Sequence, residues 1–219
     1  MSDIEKRQKS KAHTAYKISD GVRVPSVTTI LGILNKPALL QWAWRCGMEG
    51  IDYNTIRDTS ADIGTLAHYL VMCHLTGQQA ETNEYAIADL SLASNILERF
   101  VSWESQHKLE TVLVEKPLVS EEFRYGGTID WYGILDDKPT LLDLKTSGGI
   151  YPEYLYQLAA YGSLLREQGF DIEEYRILRV GKDEDGHEEI KRDDLETEWA
   201  IFMACHTIYR LQHPKKAGA

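Results

Sequence analysis

The sequence predicts a single α/β domain in which an N-terminal helical subdomain precedes a βββαββα core, and three observations carry that prediction. Up to His107 the apolar residues recur mainly at helical spacing. From Thr111 the pattern changes to short β-branched segments, TVLVEKPLVS, GGTIDWYGIL and TLLDLKT, separated by the turn-like stretches EEFRYGG and DDKP. A chain of 219 residues can bury one substantial core, and no internal repeat or long linker divides it.

Taken in order, TAYKISDGVRVP reads as a short hairpin, because Tyr16 and Ile18 alternate with polar residues, Asp20-Gly21 is a turn pair, and Val22 and Val24 resume the alternation. Ser26 can cap a helix through Ile33, and Pro37 can open a second through Met48. The spacing predicts a third helix over Ala61–Leu75, stopped by Gly77, and a fourth over Tyr85–His107. Three consecutive antiparallel strands follow. PEYLYQLAAYGSLLREQG then has helical spacing with Pro152 in its first turn and Gly169 at its end. EYRILRVG and HEEIKRD form a further strand pair around KDEDG, and DLETEWAIFMACHTIYRL is a closing helix begun by Asp193 or Asp194. The division expected is a basic flexible tail over 1–15, a hairpin and helical subdomain over 16–110, an integrated core over 111–213, and a flexible tail over 214–219.

Composition narrows the class. The apolar fraction of 43%, the charged fraction of 26% and only 6 prolines describe a soluble globular protein, and no apolar run is long enough to span a bilayer. The N-terminus lacks the apolar centre of a secretory signal, and Cys46, Cys73 and Cys205 are scattered, so a reducing cytoplasm is expected with the cysteines as small core residues. A net charge of −10 argues against a nucleic-acid partner, since phosphate binders usually present basic surface, but the charge is polarised. Residues 1–17 hold five basic and two acidic side chains, whereas residues 182–198 hold three basic and nine acidic ones. The basic end reads either as a solubilising tail or as an arm that touches phosphates.

The chemistry concentrates on the second and third strands. Asp130 lies in GGTID, and Asp143 lies in LLDLK with Lys145 two residues on. Residues i and i+2 of a strand share a face, so Asp143 and Lys145 project together while Leu142 and Leu144 pack to the other side. If the DDKP turn joins these strands as a hairpin, Asp130 lies near Asp143 across the ladder. An isolated Asp-x-Lys is ordinarily a solvated surface pair. Here the acid sits among Leu141, Leu142 and Leu144 in a strand that reads as central, where burying it without a partner or a metal would be costly. Two carboxylates and an amine suit phosphodiester hydrolysis, in which a divalent ion binds the phosphate and activates a water. The lysine could orient or deprotonate that water, or stabilise negative charge on the phosphate.

GTID, then LLDLKTS, then a helix carrying Gln157 and Tyr161 four residues apart, resembles the PD-(D/E)xK nuclease superfamily, in particular its RecB-like and bacteriophage exonuclease branch. Upstream, DIGTLAHYL resembles the GxxxH signature of that branch. The segment Tyr16–Trp42, with VPSVTTIL and KPALLQWA, is similar to the N-terminal region of phage-type and mitochondrial genome maintenance-type exonucleases. The resemblance covers roughly residues 16 to 165. Asp stands where the DxK position often has Glu, which shortens that ligand by one methylene.

The resemblance implies a restriction-endonuclease-like fold, a central mixed sheet flanked by helices with a helical subdomain arching over the site. It implies a DNA exonuclease using Mg²⁺ or Mn²⁺, held by His68, Asp130, Asp143 and the Leu144 backbone carbonyl, with Lys145 at the attacking water. Gln157 and Tyr161 would position the lysine or the DNA backbone. Glu115, on the first strand, is either an acid beside the site or a commonplace edge-strand charge. Ser26, Thr28 and Trp42 are candidates for DNA contact through a helix N-terminus and base stacking, although packing explains Trp42 equally well. Thr146 and Ser147 either bind the neighbouring phosphate or serve as turn residues. Three cysteines cannot supply the four ligands of an iron-sulfur cluster, so none is expected. Partners implied are DNA, single-stranded or at duplex ends, and a recombinase or annealing protein, in phage-type recombination or processing inside a host cell. Two alternatives stand beside this reading: a catalytically silent DNA-binding scaffold and a structure-specific endonuclease.

Overall fold

In a computed structural model that describes residues 14–181 and 186–214, the core is a five-stranded sheet in the order β1-β2-β3-β4-β5. The strands are β1 (Leu109–Ser120), β2 (Tyr125–Leu135), β3 (Lys138–Lys145), β4 (Glu174–Val180) and β5 (His187–Arg192). Neighbours pair antiparallel except β3 and β4, which run parallel and are joined by helix α5 (Pro152–Glu167), so the sheet is mixed. A parallel pair needs such a crossover, and the covering helix explains why β3 is buried almost continuously from Thr140 to Leu144.

Helices cover both faces. On one, α3 (Tyr53–Thr76) and α4 (Ile87–Glu104) bury Leu66, Leu70, Ile96 and Phe100 against Trp131, Leu142, Leu144 and Leu178. On the other, α1 (Val27–Leu31), α5 and α6 (Glu196–Gln212) pack Val27, Ile30, Leu158, Leu164 and Phe202 on Ile129, Leu141 and Ile177. The segment 16–110 therefore does not stand apart. It contributes a helical layer to one face and a short helix to the other. Among the described helices only α2 (Pro37–Met48) lies outside both cores, packed on α3 with Leu40, Trp44 and Met48 at successive i+4 positions exposed by 66–70%.

Two boundaries differ from expectation for identifiable reasons. Helix α3 starts at Tyr53, eight residues early, because Asp52 accepts from the Asn54 amide at 3.1 Å and the Thr55 hydroxyl at 2.6 Å. Its first two turns are largely exposed and polar, so they carry little apolar period. Helix α6 starts at Glu196 after Leu195, with Asp194 accepting from the Glu196 amide, instead of at Asp193 or Asp194 themselves. The hairpin at 16–24 reduces to one bridge, Lys17 to Arg23, with Gly21 at φ +82. Residues 182–185 of the KDEDG turn, and most of the expected tails at 1–13 and 215–219, lie outside the described residues. All three cysteines are buried and unbridged, and no helix among the described residues is long and apolar enough to cross a membrane.

Candidate active site

Two glycines of GGTID prepare the site. A Cβ on Gly126 would fall 2.4 Å from the Tyr16 ring, and one on Gly127 would fall 2.4 Å from Tyr161 Cε1. Only glycine lets the hairpin and α5 lie this close to β2. Tyr16 is held by its hydroxyl, which lies 2.8 Å from Thr128 Oγ1. On α3, Gly64 does similar service: a Cβ there would reach within 2.9 Å of Thr146 Oγ1, so the helix passes close to the loop that follows β3.

The ladder between β2 and β3 begins at Trp131–Leu142, which leaves Asp130 and Asp143 just beyond it at the point where the strands part. Asp130 uses that opening: its Oδ2 accepts from the Leu144 amide at 2.8 Å. Leu142 and Leu144 face the α3–α4 core, as the alternation predicts. Asp143, 1% exposed, turns to the α5 side, where its Oδ2 lies 2.6 Å from Lys145 Nζ. Neither carboxylate oxygen of Asp143 has a well-formed hydrogen bond among the described residues. Lys145 also donates to Gln157 Oε1 at 3.3 Å, and Gln157 Nε2 donates to the Tyr161 hydroxyl at 2.8 Å. The ammonium lies 4.8 Å from the centre of the Tyr154 ring, a cation–π contact. Tyr154 was not among the expected residues, although its place three before Gln157 on the same helix face could have revealed it.

His68 projects from α3 with Nδ1 3.5 Å from Asp130 Oδ1 and 3.6 Å from Glu115 Oε1. The ligating atoms of His68, Glu115 and Asp130 all lie within 4.8 Å of one another, and a cavity of about 20 Å³ opens beside them, room for one water-sized species. Glu115 reaches this position through an unusual backbone. Its φ of +47 is left-handed in mid-strand, and the β1–β2 pairing skips it between Val114–Trp131 and Lys116–Ile129. Strain of this kind persists where the surrounding structure overdetermines it, and it clusters at functional sites. Nothing in a single sequence signals a left-handed glutamate, so the sequence alone does not separate its two readings.

The charges are strongly coupled. Burial alone would lower the His68 pKa, but the carboxylates of Asp130 and Glu115 outweigh it and push the imidazole up to about 10. Burial opposes ionisation of Asp130 too, yet His68, Lys145 and the Leu144 amide hold its carboxyl below the usual range. Asp143 is pushed up, by burial first and by the neighbouring charge of Asp130, with Lys145 opposing. Lys145 is raised because Asp143 and Asp130 overcome its desolvation, and burial raises the Tyr161 hydroxyl. An excess of buried negative charge, a buried carboxylate whose one close partner among the described residues is the Lys145 ammonium, and a mixed nitrogen and oxygen donor set fit a divalent cation. The described residues group Glu115 with His68 and Asp130, while Asp143 stands outside that set and faces the lysine.

The remaining candidates are engaged with other partners. Ser26 caps α1, accepting from the Thr29 amide at 3.0 Å, with its hydroxyl 3.0 Å from that of Thr28 and 2.7 Å from that of Thr29. Trp42 is half-buried, edge-to-face with Tyr53 at 4.9 Å, so packing engages it; the exposed tryptophan of α2 is Trp44. The Ser147 hydroxyl donates to the Gly149 carbonyl at 2.8 Å, a turn interaction.

No family model and no curated protein matches the sequence. Among solved structures, the chain is similar to a protein of Eubacterium rectale provisionally described as an exonuclease, with 12% identity over 68% of this chain and 65% of that one and a TM-score of 0.45. It thus spans slightly less than two thirds of that relative. It is also similar to an alkaline exonuclease of Laribacter hongkongensis, with 19% identity over 67% of this chain and 80% of that one and a TM-score of 0.32. The same enzyme solved with dAMP aligns at 19% identity over 70% and 88% of the two chains, with a TM-score of 0.31. With these TM-scores below 0.5, the likenesses say nothing of the chemistry.

Proposed function

We propose that the chain is a divalent-metal-dependent DNA exonuclease of the PD-(D/E)xK superfamily, in its RecB-like and phage exonuclease branch. The observation that carries this reading is the meeting of Asp130, Asp143 and Lys145 with His68 and Glu115 at the parting of β2 and β3. Mg²⁺ or Mn²⁺ would be held by His68, Glu115 and Asp130, with Asp143 and the Leu144 carbonyl alongside. When bound, it supplies Lewis-acid binding of the scissile phosphate and a more acidic water.

The side chains have separable tasks. Asp143, Gln157 and Tyr154 fix the Lys145 ammonium in one place, where it stabilises charge as the phosphate becomes pentacoordinate and holds the attacking water in line. Tyr161 holds Gln157, and Gly127 makes room for Tyr161, so the motif from GGTID to QxxxY is one mechanical unit. Thr146, beside Gly64, would meet the neighbouring phosphate. A place in recombination or in the processing of viral DNA, beside an annealing protein, fits the resemblance of the motifs.

The test is digestion of end-labelled linear DNA, single- and double-stranded, with Mg²⁺ or Mn²⁺, next to a closed circle of the same sequence. Loss of linear DNA with intact circles is expected. Cut circles would make it an endonuclease, and binding without any cleavage would make it a DNA-binding scaffold.

A further inference from the structure

A second site lies at the far end of β2. A cleft of about 930 Å³ opens between the hairpin segment, the β1–β2 turn and the C-terminal half of α6, within the size range of small-molecule sites. Its charged lining is all basic: Arg23, Arg124 and Arg210, with His206 and His213. In a chain of net charge −10 this is a local reversal. Among the described residues no carboxylate lies within ion-pair distance of any of the three arginines, although the molecule pairs Arg57, Arg176 and Arg179 elsewhere. Three unneutralised guanidiniums around one cavity repel each other unless an anion joins them.

A second, independent observation concerns His206. It lines the cleft at 2% exposure, and among the described residues its buried Nε2 has no hydrogen-bond partner. A buried, unsatisfied ring nitrogen costs free energy that a ligand acceptor would recover. At the rim the Tyr209 and His213 rings stack at 4.3 Å, presenting a flat aromatic pair beside the arginines. Forked cationic donors next to an aromatic face suit a phosphate that carries a base.

We propose that this cleft binds the phosphate of a nucleotide, carried either by a DNA strand or by a released mononucleotide. Arg124 precedes Asp130 by six residues along β2, which places the cleft about 20 Å from the carboxylate cluster. A strand engaged at the cluster would have to span about that distance to reach the cleft, and the identity of the ligand in this sense rests on the nuclease reading. Arg23, Arg124 and Arg210 grip the oxyanion, His206 donates from the floor, and Tyr209 with His213 supports the base.

The test compares the full chain with an Arg124→Gln/Arg210→Gln double variant, in EDTA so that nothing is cleaved. Fluorescence anisotropy follows a labelled 12-nucleotide single strand from 50 to 200 mM salt, and NMR follows the His206 imidazole during titration with dAMP. If a strand is the ligand, the variant binds the oligonucleotide at least about tenfold more weakly and its log K against log salt slope flattens by about 1.4, two contacts at about 0.7 each. If a mononucleotide is the ligand, dAMP moves the His206 signal in the wild type and not in the variant. The Arg124→Lys/Arg210→Lys pair, which keeps the charge, restores most of the salt slope. Oligonucleotide affinity, slope and dAMP response all equal to wild type overturn the proposal. A protein that degrades DNA while its arginine variants bind normally keeps the nuclease reading and loses the cleft. One that never cleaves, yet binds through these arginines, keeps the cleft and loses the nuclease reading.

Discussion

Asp130 Oδ2 accepts a hydrogen bond at 2.8 Å from the amide of Leu144, the residue between Asp143 and Lys145. One carboxylate of β2 is thereby fixed to the backbone that carries the acid and the amine of β3. In Asp130→Asn the amide oxygen can still accept from Leu144, so the strand junction survives while the charge is lost. Mn²⁺ affinity measured by calorimetry should fall by at least about tenfold. Unaltered metal affinity would remove Asp130 from the ligand set.

Lys145→Ala should abolish turnover while DNA affinity stays within about tenfold of wild type, because the ammonium acts on charge that develops in the transition state more than on bound substrate. Single-turnover cleavage measured beside equilibrium binding separates the two effects. An active variant would refute the assigned role.

Gly127 and Tyr161 give a test of positioning. A methyl at Gly127 falls 2.4 Å from Tyr161 Cε1, so Gly127→Ala must displace the ring that anchors Gln157, and Gln157 in turn anchors Lys145. The expected cost in stability is about 1–3 kcal/mol by thermal melting. The rate constant at saturating DNA should fall much more than the affinity, since the lysine shifts while the binding surface remains. A variant with full kcat would uncouple the helix motif from the lysine.

The left-handed Glu115 predicts a trade of stability against metal binding. Glu115→Gly and Glu115→Ala both remove the carboxylate, but only glycine is at ease at φ +47. The glycine variant should be more stable than the alanine variant by about 1 kcal/mol, and both should bind Mn²⁺ more weakly than wild type. Equal melting temperatures for the two would mean that the backbone there is unstrained.

Which parts of this were legible in the sequence follows from what makes each part local. The order βββαββα was readable because its β-branched runs, Gly and Pro boundaries and helical spacing are local signals, and the leucines around Asp143 marked β3 as central, where the structure buries Thr140 to Leu144 without a break. The joint projection of Asp143 and Lys145 follows from the two-residue period of a strand, and Gln157 and Tyr161 share a helix face for the same kind of reason. What was hidden depended on register and close approach. The grouping of Glu115 with His68 requires a left-handed residue opposite Asp130, and the need for Gly127 appears only when α5 docks on β2. The start of α3 was misplaced because its exposed first turns are fixed by the Asp52 cap, which apolar periodicity does not register. The arginine cleft unites residues from three distant segments, so no motif could have marked it.

Glu189 makes one pH-dependent contribution to the fold away from the site. Its Oε1 accepts from Trp103 Nε1 at 2.5 Å and from Arg176 Nη1 at 3.2 Å, and Arg176 is also bound to Glu174, a buried network between α4, β4 and β5. Burial opposes its ionisation, but the Trp103 hydrogen bond and the charges of Arg176 and Lys191 prevail and hold its carboxyl below the ordinary glutamate range. A carboxyl whose pKa is lower in the folded state than in the unfolded chain stabilises the fold at neutral pH. That contribution is fully present above the ordinary glutamate value and is lost as pH falls toward the folded one. Glu189→Gln keeps an oxygen for Trp103 but removes the charge facing Arg176, so it should cost about 1–2 kcal/mol at pH 7. Melting curves of the two proteins should converge as the pH drops below about 4, where the wild-type carboxyl is itself taking up a proton. A stability difference that holds constant from pH 7 to pH 3 would show that the glutamate contributes through packing and not through its charge.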